Sequence, residues 1–262
     1  MAALKSFHDR NPGFAMQVNV TRHPYSFIGD TDTSKGYQGG LRSGTWHTGL
    51  MDYTDGTEAG ALAAEAGLQQ VGGEAGIRFD FGVRTDWQPM NSQRLLLWAG
   101  KFGKQEEFMT SLNKRHFEQR VSASDDGTLL AAAAEVGLDA GAAEDFLGTD
   151  ELKDVVWESY GTTIRKGVRA IPYLVFNVPA LGMVGGPFRA RGRREPVTIN
   201  GSMNRETFLR VFEAFRDAAT QDVLDAQLDL KDPAAQPGGT CGGGPAGQRA
   251  GEALVEPPSG DT

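Results

Sequence analysis

Few side chains in this sequence have the type and spacing to do covalent or metal chemistry. Cys241, in Gly-Gly-Thr-Cys-Gly-Gly-Gly, is the one cysteine. An intrachain disulfide, a Cys-x-x-Cys pair and a thiolate zinc site are therefore ruled out within these 262 residues. His8, His23, His47 and His116 fall at no metal-ligand spacing, and each reads as a surface or capped histidine. Gly182 to Gly186 lacks the Lys-Ser/Thr ending of a phosphate-binding loop. Arg189, Arg191, Arg193 and Arg194 could hold an anion such as a phosphate or the carboxylates of glutathione, or be a solvated loop. No catalytic nucleophile and no metal ligand emerges. What remains to organise the chain is the passage from a helix to a strand at Ile171-Pro172-Tyr173.

The elements around that tripeptide follow from periodicity. Leu152, Val155, Val156, Ser159, Tyr160 and Thr163 recur every three or four residues, which predicts a helix with one face inward, started by Thr149 and Asp150 and stopped at Gly167. Tyr173-Leu-Val-Phe176 is a run of strand formers with no polar face, which suits a strand covered on both sides. Pro172 cannot donate to a ladder, so it belongs at the strand's first position or at an edge. The bond before it is cis or trans; trans is the commoner state of X-Pro bonds.

Earlier in the chain, a short helix over Ala2–Arg10 breaks at Asn11-Pro12-Gly13. Phe14, Met16, Val18 and Val20 then alternate with polar or small residues as in a half-buried strand. Residues 29–56 read as a long ordered loop with a short helical piece. An alanine-rich helix follows from Glu58 to Leu68, ending at Gly67, with Gly72-Gly73 closing it, and Ile77–Phe81 alternates like a short strand. Four amphipathic helices come next: one capped by Asn91-Ser92, then Gln105 to Phe117, one capped by Asp126 and stopped at Gly137, and Asp139 to Leu147. Each needs something to pack on, so together they form a helical subdomain. Val197–Asn200 is a second short strand, Asn200-Gly201 is turn chemistry, and Phe208, Leu209, Val211, Phe212 and Phe215 line the inner face of a last helix. Residues 230–262 turn to Gly, Pro, Ala and acidic residues, a composition that cannot bury enough surface to offset ordering entropy.

The net charge of −8 argues against nucleic-acid and anionic-membrane partners. No apolar run reaches a membrane span and no signal peptide follows Met1, so a cytoplasmic protein is expected.

A helix, Gly-Val-x-x-Ile-Pro and an apolar strand resembles the thioredoxin superfamily, and the order of elements resembles its DsbA-like family, in particular the FrnE-like branch. The residues that carry the resemblance are Val18–Phe27, Gly76–Phe81 followed by Asn91-Ser92, Gly137-Leu138-Asp139, Gly167–Phe176, and Asn200-Gly201 leading into the last helix, over roughly Met1 to Arg216. The resemblance implies an α/β fold: an incomplete thioredoxin-like sheet from residues 1–29 and 150–217, with a helical insertion subdomain over 57–149. It implies a cis Pro172, thiol-disulfide oxidoreductase activity on a protein or small-thiol substrate, no cofactor, and substrate contacts from Ile171, Pro172 and Tyr173. Asn91 is either a helix cap or a further substrate contact.

Departures from the family pattern matter as well. The strand and Cys-x-x-Cys segment that open such proteins are missing here, and Met1 falls within what resembles the helix after them. An incomplete or alternatively started chain is the expectation. The missing strand would lie between Phe14–Val20 and Tyr173–Val178. Leu96 stands where a histidine often occurs, and the loop from Val178 to Pro196 is long. Two other functions fit the same residues: a relative of glutathione-dependent chromene-carboxylate isomerases and kappa-type transferases, or a non-catalytic thioredoxin-like protein that binds extended peptides.

Overall fold

A computed structural model describes residues 2–31, 43–168, 170–186, 189–190, 192 and 194–221. Cys241, the 230–262 tail, Arg191 and Arg193 lie outside the described residues.

The chain opens with α1 (Ala2–Arg10) and continues, after an extended segment, through β1 (Ser43–Thr45), α2 (Trp46–Tyr53), α3 (Glu58–Glu74) and β2 (Arg84–Asp86). Four helices in series follow: α4 (Met90–Gly100), α5 (Gln105–Glu118), α6 (Asp126–Glu135) and α7 (Ala140–Leu147). Then come α8 (Lys153–Arg165), β3 (Tyr173–Phe176), the short β4 (Gly185–Gly186) and β5 (Arg189–Ala190), β6 (Val197–Asn200) and α9 (Arg205–Gln221).

Two apolar cores organise these pieces. Leu95, Leu96, Phe108, Leu112, Leu129 and Phe146 join α4 to α7, as expected from four one-faced helices. Asp139 caps α7, its carboxylate accepting from the Ala142 N–H at 2.7 Å, and Gly137 takes φ +80° to turn the chain between α6 and α7. The second core joins Phe7 of α1, Ile199 of β6 and Leu209, Val211, Phe212 and Phe215 of α9. Phe14, Met16, Val18, Leu174 and Phe176 pack against it.

The observed sheets are smaller than the sequence suggests. Among the described residues they are three two-stranded antiparallel pairs, β1 with β2, β3 with β6, and β4 with β5. Tyr173–Phe176 is only half-buried, paired with β6 and not covered on both faces. Ile77–Phe81 is not the expected strand: Ile77 is exposed with Arg78, and Phe79, Asp80 and Phe81 are all half-buried. The segment's backbone bonds go to helical segments instead: Ile77 N–H to Gly72 O, Asp80 N–H to Phe117 O, and Phe81 O accepting from His47 N–H.

Helix ends needed correction too. Helix α3 runs through Gly67 to Glu74 and closes at Ala75, with Gly76 at φ +75°. Gly72 is there for packing, since a Cβ on it would lie 2.7 Å from the Phe79 ring and 2.9 Å from Ile77 O. Helix α4 starts after Pro89, so Asn91 and Ser92 sit in its first turn rather than capping it. The N-cap of α6 is Asp125, one residue before the expected Asp126. The N-cap of α8 is Leu152, and Val155 on that helix is 51 % exposed, off its inner face.

His116, expected as a surface or capped histidine, is buried. The Ala123 N–H donates to its Nδ1 at 3.1 Å, so the ring is held neutral with Nε2 facing the Thr85 hydroxyl at 3.2 Å. Burial holds its pKa below the ordinary 6.5. The unfolded chain therefore takes up a proton that the folded one resists, and this contribution to stability is present above pH 6.5 and lost as pH falls below it. Urea denaturation at pH 7.5 and pH 5.5 should show a larger acid loss for the parent chain than for His116→Gln. Equal losses would show that the ring plays no part in the slope.

Candidate functional site

The geometry at residues 170–173 is set by how α8 ends. Gly167 takes φ +77°, the left-handed conformation a glycine adopts at least cost. It lets the Val168 N–H reach back to Thr163 O at 3.0 Å and the Gly167 N–H to Ile164 O at 2.9 Å. Val168 is then buried, while Ile171 is 49 % exposed and Pro172 is exposed. The Ile171-Pro172 peptide bond is cis.

Pro172 stands at the mouth of β3. Its carbonyl accepts the Gly201 N–H at 2.8 Å, and Gly201 at φ +95° turns the chain out of β6. That bond fixes the phase of the ladder. Since Pro172 opposes Gly201 in a hydrogen-bonded pair, the pairs Leu174 with Ile199 and Phe176 with Val197 are the bonded ones, by the alternation of antiparallel ladders. The N–H and C=O of Val175 therefore point away from β6, to the outer edge of β3.

A second feature lies on the same core. Residues 14–20 are extended without a ladder partner among the described residues, yet Phe14, Met16 and Val18 are half-buried against the second core while Ala15, Gln17 and Asn19 face out. The expected strand is absent as a strand; its alternation holds through Asn19, and Val20, expected inward, is 45 % exposed. Met16 O accepts from the ring of His8 at 3.0 Å, and the Phe14 N–H donates to Asn11 O. Beyond this stretch the Arg22 N–H donates to Gln105 Oε1 at 2.7 Å and its guanidinium pairs with Glu106, which anchors the segment to α5.

Asn91 Nδ2 donates to Asp126 Oδ1 at 2.9 Å and its Oδ1 accepts from Arg94 at 3.0 Å, so it ties α4 to α6. No described contact joins it to the 171–173 loop. Arg194 is half-buried beside Met183, the two forming an isolated bridge. No group of three or more His, Cys, Asp or Glu able to hold a metal occurs among the described residues, and no described helix is long and apolar enough to cross a membrane.

Chemically, Ile171 and Pro172 offer only apolar surface and backbone groups, since neither carries a nucleophile, an acid or a base, and the phenol of Tyr173 is the loop's one ionisable group. One polar cluster elsewhere escaped the sequence reading. His47 meets Glu65 through Nδ1 at 2.6 Å and Glu58 through Nε2 at 3.0 Å, and these carboxylates raise its pKa. The signal was present: Glu58 and Glu65 are seven apart in a helix, two turns along one face.

The family of DSBA-like thioredoxin domains matches residues 15–191. The crystal structure of a probable DsbA oxidoreductase from Streptomyces coelicolor superposes with a TM-score of 0.59 at 17 % identity, covering 86 % of either chain. Among curated proteins no match was found.

Proposed function

The chain belongs to the DSBA-like thioredoxin domain family, and from that premise we propose that it serves thiol-disulfide exchange on a polypeptide substrate, with Ile171, Pro172 and Tyr173 as the loop against which the substrate lies. The finer assignment, to the FrnE-like branch and to the cytoplasm, is part of the same proposal. Residues 1–29 and 150–217 are read as its thioredoxin-like part and 57–149 as the insertion.

The observation that carries this reading is the loop's exposure at the mouth of β3, with the backbone of Val175 directed outward beyond it. An extended peptide pairing there would gain main-chain hydrogen bonds as an added strand. In the exchange, a thiolate attacks one sulfur of the substrate disulfide, a mixed disulfide forms, and the other sulfur leaves as a thiolate. No such thiolate is among the described residues. The part proposed for this chain is to hold and orient the substrate, with the attacking dithiol supplied by another polypeptide segment. Asn91 is left as a structural tie and not as a substrate contact.

A fluorescently labelled, unfolded peptide with one internal disulfide tests the reading directly. The purified chain is expected to bind it, and Ile171→Asp and Pro172→Ala are each expected to weaken binding about tenfold, the scale of one or two lost hydrogen bonds. Unchanged affinity in both variants would sink the proposal. Insulin reduction assayed beside it should stay at the dithiothreitol background. Turnover abolished by Cys241→Ser would instead give Cys241 the catalytic part and overturn the holding role.

A further inference from the structure

A concavity of about 770 Å³ lies away from the 171–173 loop, between α2, α3, residues 78–82 and the end of α5. That volume is in the range of small-molecule sites. Its walls include the aromatic rings of Phe79 and Phe81, whose centroids are 6.1 Å apart, and the side chain of Leu62. Four carboxylates line it, Glu58, Glu65, Asp80 and Glu118, against two guanidinium groups, Arg78 and Arg120.

Pairing leaves this charge unbalanced. Arg120 spends its charge on Asp80, at 3.2 Å. Among the described residues Arg78 and Glu118 form no ion pair, and their unit charges cancel in the count. What is left is His47 with Glu58 and Glu65. Both ring nitrogens face carboxylates, so both must donate, and even the imidazolium leaves one negative charge in excess. The two carboxylates are also unequal. Glu65 is 17 % exposed and fixed, whereas Glu58 is 67 % exposed and can swing.

We propose that this cavity binds an organic monocation with an apolar body, of the class of primary arylalkylamines, its ammonium bridging Glu58 and Glu65 and its ring lying against Phe79 and Phe81. Surplus negative charge recognises the ammonium, and an ammonium near an aromatic face gains further attraction. The carboxylates it would use are the ones that hold the His47 proton. The amine and that proton therefore compete, and by linkage amine binding expels the proton. The charged groups that line the cavity with His47 are Glu58 and Glu65 from α3, Arg78 and Asp80 from the 78–82 segment, and Glu118 and Arg120 from α5 and its end. Of these, Glu58 and Glu65 touch the ring.

Benzylamine is the probe, titrated into the full chain while the His47, Phe79 and Phe81 resonances are followed by NMR. Saturable shifts at all three are expected, with affinity rising as pH is raised through the titration of His47. Calorimetry in two buffers of different ionisation enthalpy should report proton release. Glu65→Gln and Glu58→Gln should each weaken binding about tenfold, the scale of one charged hydrogen bond. The exposed Glu58 variant keeps the test open if the Glu65 variant folds poorly. Benzyl alcohol, benzoate and magnesium chloride are the controls. An equal response to the alcohol reduces the site to apolar partitioning, an equal response to magnesium makes it an inorganic cation site, and indifference to Glu58→Gln removes the carboxylates; each would overturn the proposal.

Discussion

Replacing Arg94 by methionine is expected to destabilise the protein by about 3 kcal/mol, because it strands the Thr149 and Glu151 carbonyl oxygens, which no other side chain among the described residues serves. Arg94 is 3 % exposed and is not paired with a carboxylate. Its Nε donates to Glu151 O at 2.8 Å, and its Nη2 donates to Thr149 O at 2.5 Å and Phe146 O at 3.2 Å. Its guanidinium carbon also sits 4.9 Å from the centroid of the Phe146 ring. One planar fork thus ties the chain between α7 and α8 to α4. Lysine should recover little of the loss, since a single ammonium cannot reach carbonyls spread across that fork. Urea denaturation of Arg94→Met and Arg94→Lys measures it, and a loss below about 1 kcal/mol in the methionine variant would mean that water serves those carbonyls as well.

The second large effect is expected at Phe7. Its ring is fully buried and meets Phe14 edge-on at 5.9 Å and Phe212 at 6.2 Å. One side chain of α1 thus holds both the extended segment and α9. Phe7→Ala should cost about 4 kcal/mol, the usual scale for an aromatic truncated in a packed core. Hydrogen exchange gives the sharper reading: amides in α1 and α9 should lose protection while those of α4 to α7, in their own core, keep theirs. Uniform loss over both cores would show that the two unfold together.

Why helices were legible and sheets were not has a physical cause. A helix satisfies its own backbone, so the spacing of Leu95, Leu96 and Ala99, or of Phe208, Leu209 and Phe212, reports both the element and its inner face. A strand needs a neighbour, and alternation in sequence does not supply one. Ile77–Phe81 and Phe14–Val20 both alternate in sequence, yet the first leaves Ile77 exposed and bonds to helical segments, and the second half-buries Phe14, Met16 and Val18 with no ladder among the described residues. Glycine misled at α3, where Gly67 and Gly72 are accommodated within seventeen helical residues. The 171–173 loop was legible because Gly167, Val168 and Pro172 each impose a distinct backbone demand. The His47 cluster was missed because its partners come from another helix, eleven and eighteen residues away.

Residues 14–20 and the outer side of β3 carry no formal charge, and no proline interrupts either stretch. Lysine, proline and bulges are the devices by which proteins keep such backbones from joining strands of other molecules. Here charge and proline are missing from two stretches at once, both packed against the second core. At high concentration, self-association should begin there, and a lysine at Gln17 or Asn19, whose side chains face out, is the substitution best suited to suppress it.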